Sequence, residues 1–272
     1  MPQHAIAETH SSTESNMRAV FARVSERCDL PPLPAVVTRA MNLARDPDAK
    51  PDDLARVVST DQAIAARVLR ISRATLYMRR QPPRTLPEAI VTVGLAGLRR
   101  ILIAASARSA YRASDGVAEA LWKHALATAI AASEMGREKT GKESGDDFVA
   151  GLLHDVGRLV FHLADPDQYA RLGHFDGALE EELFGAPHAA VGACLAEQWG
   201  LEDTVVEAIM FHHHPLGLSP MGERIAMADR IAHEIHFGSV AGELATPSPE
   251  PTPKELRSRV ADVFAAEFAL FD

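Results

Sequence analysis

His154 and Asp155 stand side by side in Gly151-Leu152-Leu153-His154-Asp155-Val156-Gly157-Arg158-Leu159, an otherwise apolar run. Burying a carboxylate and a titratable imidazole is costly unless something pairs with them, and a metal ion is one such partner. The apolar periodicity places both in one helix over 146–164. Adjacent residues on a helix diverge by about 100°, so a single ion is not easily gripped by the pair. An Asp155 that bridges two ions would use that divergence.

Further donors follow the same chemistry. There is no histidine between residues 11 and 123, and ten of the twelve lie between His124 and His236. His124 falls in a helical run, His188 near a helix start, His212-His213-His214 at a helix end, and Asp229 in Met-Ala-Asp-Arg-Ile-Ala. Imidazoles and carboxylates suit Fe, Mn or Zn, and helical bundles build such sites from donors on different helices. Taken singly, His124 reads as a core histidine, the triple histidine as a polar helix end, and Asp229 as a surface acid. As an ordered set they read as a metal site. His162, His174, His233 and His236 read as structural or exposed.

The elements that must position these donors are helices. Apolar residues are 47% of the 272 residues, aromatics 6%, and no alternating strand pattern of any length appears. The spacing predicts helices over about 17–28 and 35–44, a third opening at Pro51 and a fourth over 60–77, then a short one stopping at Gly94 and a longer one to about Tyr111. A second group is expected over 117–138, 146–164, 166–173, 177–184, 187–199, 202–213 and 221–236. Residues 1–16 read as disordered and 241–253 as a proline-rich linker. Residues 254–272 read as an amphipathic helix that caps the domain or meets a partner. The expected division is a helical N-terminal subdomain, 17–115, packed on a helical bundle, 116–240.

Composition narrows the function. Cys28 and Cys194 make no disulfide framework, so a reducing cytoplasm is expected. No apolar run approaches the roughly 20 residues of a membrane span, and the N-terminus lacks a signal peptide's apolar centre. The net charge of −9 argues against DNA. The stretch 62–112 nevertheless holds ten arginines and one acid, Glu88. Arg67, Arg70, Arg73, Arg99 and Arg100 are its expected contacts with an acidic partner or phosphate; the plainer reading is solvated helix faces.

The ordered string His124, His154-Asp155, His188, His212-His213, Asp229 resembles the HD superfamily of metal-dependent phosphohydrolases. More closely, the chain resembles the HDOD domain, the HD-related output domain of bacterial signalling, over about residues 26–236. Leu30-Pro-Pro-Leu-Pro34, Ser59-Thr-Asp-Gln62 with the helix to Arg70, Ala89-Ile-Val-Thr-Val-Gly94, His188-Ala-Ala-Val-Gly192, Trp199-Gly-Leu201 and His212-His-His-Pro215 carry it. The resemblance implies an all-α fold. It implies that His124, His154, Asp155 and Asp229 form a metal site, which His188 with His212 or His213 extends to two ions. Fe or Mn is expected, with Zn or Mg as alternatives. Bound metal would acidify a water and polarise a phosphoryl oxygen, with Asp155 and Arg158 as catalytic residues and Arg158 on the substrate phosphate.

Two departures shift the expectation. Cyclic-di-GMP phosphodiesterases of the superfamily carry Gly-Tyr-Pro after the paired histidines and a lysine at the Arg158 position, whereas Leu216-Gly-Leu-Ser-Pro220 follows here. HDOD helices usually carry Asn-Ser where this chain has Arg73-Ala74. The expected function is therefore a metal-binding regulatory module acting through a signalling protein or a nucleotide or phosphate ligand. With no receiver or sensor sequence attached, it is expected to act as a stand-alone adaptor. The alternative is a metal-dependent phosphohydrolase or phosphodiesterase.

Overall fold

Prolines and capping side chains punctuate the N-terminal half of the computed structural model, which describes residues 19–23, 26, 32–46, 48–74, 81–111, 116–141, 145–172, 177–214, 219–235 and 252–271. Helix α1 occupies residues 19–23, α2 Ala35–Ala44, α3 Pro51–Val58, α4 Gln62–Ser72 and α5 Leu86–Ala110. Pro51 opens α3, where a missing N–H breaks no helical bond, and Asp52 and Asp53 meet the helix's positive end. Asp61 caps α4, its carboxylate accepting from Ala63 N at 2.9 Å and Ile64 N at 3.0 Å. Thr85 caps α5, and Glu88 reaches back to accept from Arg84 N at 2.8 Å. Gly94 breaks α5 with φ 71° and ψ 177°, a backbone that glycine adopts without a Cβ penalty. The short helix, the stop and the longer helix are thus all present.

The second group comprises α6 Gly116–Thr140, α7 Gly145–Leu153, α8 Val156–Ala164, α9 Pro166–Tyr169, α10 Gly177–Phe184, α11 His188–Gln198, α12 Asp203–Met210 and α13 Pro220–Glu234. Helix α14, Lys254–Phe271, follows. No strand occurs among the described residues. Helices α2 to α5 pack on one another, α6 packs on α7 and α13, and α11 packs on α8 and α12. The α5–α7 contact joins the two groups. The expected disordered segment 1–16, Cys28 and residues 241–251 of the expected linker lie outside the described residues.

One helix expected over 146–164 is two. His154 and Asp155 form a turn between α7 and α8, and Asp155 has φ −102° and ψ 13°. The break has a packing cause. A Cβ on Gly151 would lie 2.8 Å from Ala129 Cα, so α7 presses on α6; a Cβ on Gly157 would lie 2.0 Å from the His188 carbonyl oxygen, so α8 presses on α11. Two close seams with different neighbours demand two axes.

By length and composition α5 is long and apolar enough to cross a membrane, which corrects the expectation that no such run exists. Here those side chains form the core: Leu98, Ile101, Leu102 and Ile103 are each at most 1% exposed.

Of the arginines expected on a contact surface, Arg70 and Arg73 are exposed and Arg100 alone is corrected to the interior. Arg100 is 5% exposed, its Nη2 donates to both carboxylate oxygens of Glu267 at 3.0 Å, and its guanidinium lies 4.2 Å from the Phe148 ring centroid. It ties α14 to the core instead of meeting a partner. Arg70 donates to Leu270 O, Arg73 to Pro83 O, and Arg99 pairs with Asp146 and Glu202. Arg67 is half-buried. Removing one side of a buried pair strands the other. Glu267→Ala should therefore destabilise the fold by about 3–5 kcal/mol in urea unfolding, and Arg100→Met with Glu267→Leu should recover most of that loss.

Candidate metal centre

Seven donor side chains from five separate places in the fold converge. His124 comes from the middle of α6, His154 and Asp155 from the α7–α8 turn, and His188 from the first position of α11. His212 and His213 follow α12, and Asp229 lies on α13. They fall into two groups, His124, His154 and Asp229 in one and Asp155, His188, His212 and His213 in the other. All seven residues expected as ligands are in this cluster.

Asp155 faces both groups. Its Oδ2 lies 3.7 Å from His124 Nε2 and 3.5 Å from His154 Nε2. Its Oδ1 lies 2.9 Å from His188 Nε2 and 3.4 Å from His212 Nε2. Within the first group, Asp229 Oδ1 stands 3.0 Å from His124 Nε2 and 3.6 Å from His154 Nε2, and the two imidazole nitrogens are 3.3 Å apart. Within the second, His188 Nε2 is 3.4 Å from His212 Nε2 and 3.1 Å from His213 Nε2. Donors about 2.1 Å from one ion are separated by about 3.0 Å along an octahedral edge and about 3.4 Å along a tetrahedral one. The spacing matches a coordination shell.

The donors also leave polar atoms that ions would satisfy. Asp155 Oδ1 and Asp229 Oδ1 are buried and make no hydrogen bond of proper geometry, although imidazole nitrogens crowd them. His154 Nδ1 donates to Gly151 O at 2.8 Å and His212 Nδ1 to Ile209 O at 2.7 Å. A carbonyl only accepts, so both rings present an unprotonated Nε2 when neutral. Residues and ions fit.

Charge is balanced within the cluster. Burial alone would raise the Asp155 carboxyl, yet His154, Arg158 and His188 hold it well below the usual range. Burial likewise opposes a low Asp229 value, and the imidazoles of His124, His154 and His233 facing its carboxylate overcome it. Burial pulls His124 and His212 down, leaving them neutral donors. His154 goes the other way: burial opposes its charge, but Asp155 and Asp229 push it up to about 9.

Arg158, expected on a substrate phosphate, has a different setting. It is 5% exposed with Nε 3.9 Å from Asp155 Oδ2, so it offsets the Asp155 carboxylate from inside the protein. Sequence reading missed Glu180, which is 1% exposed and bonds His188. Its Glu180-Glu181-Glu182 context looks like a solvated acidic face, and no spacing rule links it to His188. His233, read as structural or exposed, sits with Nε2 3.3 Å from Asp229 Oδ1 and its ring 4.5 Å from that of His124. The i,i+4 spacing from Asp229 was its legible signal.

The family profile of the HDOD domain matches residues 30–215. The chain belongs to the HDOD family. The crystal structure of an HDOD domain protein with unknown function from Geobacter sulfurreducens superposes with a TM-score of 0.69 at 25% identity, covering 94% of this chain and 89% of that one. An uncharacterised protein of Treponema pallidum is 27% identical over 222 residues, 76% of this chain and 43% of that protein. Ribonuclease Y of Thermoanaerobacter pseudethanolicus is 34% identical over 127 residues, 47% of this chain and 20% of that protein. The HDOD chain thus spans less than half the length of these curated relatives.

A pH dependence follows for this HDOD centre. An ion entering the first group must displace the proton on His154, whose pKa is raised from 6.5 to about 9. From that proton alone, Mn²⁺ affinity should rise about tenfold per pH unit between about 6.5 and 9 and level off above. Calorimetric titration of chelator-stripped protein at four pH values reads the slope; a flat profile would show that His154 carries no proton to displace.

Proposed function

We propose that this HDOD chain is a metal-dependent phosphoester hydrolase, with residues 17–115 as a helical subdomain packed on a catalytic bundle, 116–240. The observation that carries the reading is the placement of Asp155, with one carboxylate oxygen toward each of two histidine groups. His124, His154, Asp155 and Asp229 would hold one ion, and Asp155, His188, His212 and His213 a second. The mixture of imidazole and carboxylate suits Fe or Mn ahead of Zn or Mg. When bound, such ions supply Lewis acidity toward a phosphoryl oxygen and acidify water.

The chain's own residues do the positioning. Gly151 O and Ile209 O fix two imidazole tautomers. Arg158 offsets the negative charge of Asp155. The near-complete burial of His124, His154 and His188 excludes bulk water from one side of the centre. His213 and Asp229, the two half-buried members, mark the side from which a phosphoester would approach. Ribonuclease Y, a relative over about half of this chain, makes phosphodiesters the first substrates to try.

A second reading has its own observation. The cation expected to hold a phosphate, Arg158, is buried, which favours a cytoplasmic regulatory module that binds a signalling protein or a nucleotide and uses the ions structurally. Metal analysis of protein purified without chelator, followed by a phosphodiester, phosphomonoester and nucleotide panel, separates the two. Less than about a tenth of an equivalent of metal sinks the hydrolase, since the water needs its ion. Two bound ions without turnover leave the regulatory module.

A further inference from the structure

The two donor groups differ in where their negative charge comes from. The first owns a carboxylate, Asp229, beside its two imidazoles. The second has three imidazoles and shares only Asp155. Behind it stands Glu180 on α10, 1% exposed. Glu180 accepts from His188 Nδ1 at 2.8 Å through either oxygen, and its Oε2 also accepts from the His188 backbone N–H at 2.8 Å. His188 opens α11, whose N-cap Pro187 offers no side-chain cap. One carboxylate therefore orients the ring, caps the helix and places charge at its positive end.

We infer that Glu180 is a positioning residue that serves the three-histidine subsite as Asp229 serves the other: it supplies the missing negative charge one hydrogen bond removed, through His188. The two contacts on His188 lock the ring so that Nε2 faces Asp155 Oδ1, 2.9 Å away. A carboxylate on the far nitrogen also raises the basicity of a ligating imidazole, unlike the neutral carbonyls behind His154 and His212. The His188 ring nitrogen and backbone N–H both lie 2.8 Å from the Glu180 carboxylate, the arrangement of a charge-assisted pair. Its consequence is selective: Glu180 sets the affinity of the second ion and not of the first.

The inference rests on the binuclear reading above but not on turnover. Its test is Glu180→Gln, which keeps an oxygen for the helix N–H and removes the charge. Chelator-stripped wild type and variant are titrated with Mn²⁺ by calorimetry, with electron paramagnetic resonance reporting the coupled pair. The expected result is a second-ion affinity weakened about 10–100-fold, loss of the coupled signal at two equivalents, an unchanged first-ion affinity and a metal-free protein that still unfolds cooperatively, its melting temperature only modestly lowered by the lost helix-end charge. Asp229→Asn should do the reverse, weakening the first ion. A wild type that takes two ions beside a variant that takes two with equal affinity overturns this inference alone. So does equal weakening of both ions, or a collapse of metal-free stability, each of which marks a purely structural carboxylate. A wild type that takes no second ion overturns both this inference and the binuclear reading.

Discussion

Replacing Asp155 by asparagine should lower bound metal from about two equivalents to below about a tenth, with any phosphoester hydrolysis falling to background. The effect is large because one side chain serves both donor groups. Its Oδ1 lies 2.9 Å from His188 Nε2, and its Oδ2 lies 3.5 Å from His154 Nε2. Asparagine is isosteric, but it carries one oxygen and no charge, and its amide presents N–H donors toward imidazole lone pairs. In the metal-free protein the same carboxylate offsets His154, Arg158 and His188, so the metal-free melting temperature should fall as well. Elemental analysis with circular dichroism separates loss of metal from loss of fold. Retention of about one equivalent would show that the ions are held independently and that Asp155 does not bridge.

Gly157→Ala should destabilise the chain by about 3 kcal/mol, lowering its melting temperature by about 6–12 °C. The new Cβ would lie 2.0 Å from the His188 carbonyl oxygen, 2.8 Å from its carbonyl carbon and 3.0 Å from its Cα. These are backbone atoms, so no side chain can turn away; α8 and α11 must separate. Because His188 is the first residue of α11 and Asp155 immediately precedes α8, the same movement pulls the second donor group apart. Mn²⁺ should therefore protect the variant less than the wild type in urea unfolding. Gly192→Ala is the comparison: its nearest neighbours are the Val156 and Ile209 side chains at 3.2 and 3.3 Å, which can shift, and its loss should be nearer 1 kcal/mol. Equal stability of Gly157→Ala and wild type would remove the close-packing account of the α7–α8 break.

Much of this protein was legible in its sequence because the signals were local. Pro51, Asp61, Glu88 and Gly94 act on their own turns of backbone, and the helices they open or close are where those residues put them. The fold class follows from apolar spacing at helical period with no alternating run. The seven candidate ligands could be named because imidazole and carboxylate are the chemistry itself and their order along the chain resembles a family. What the order could not convey is distance. That His124, His154 and Asp229 gather on one side of Asp155, and His188, His212 and His213 on the other, depends on how five elements pack.

The misplacements share that cause. His154 and Asp155 read as interior helix because the flanking residues are apolar, but two glycine seams, Gly151 on α6 and Gly157 on α11, split the helix there. Arg100 reads as surface charge until Glu267, far along the chain, folds back over it. Glu180 reads as one of three solvated glutamates until α11 brings His188 against it. The sequence by itself determined the helices, their caps and the donor types, since these depend on each residue's own backbone and chemistry. Tertiary structure alone decided which charges are buried, which are paired and that Asp155 stands between two donor groups, because burial and pairing are set by neighbours distant in the chain.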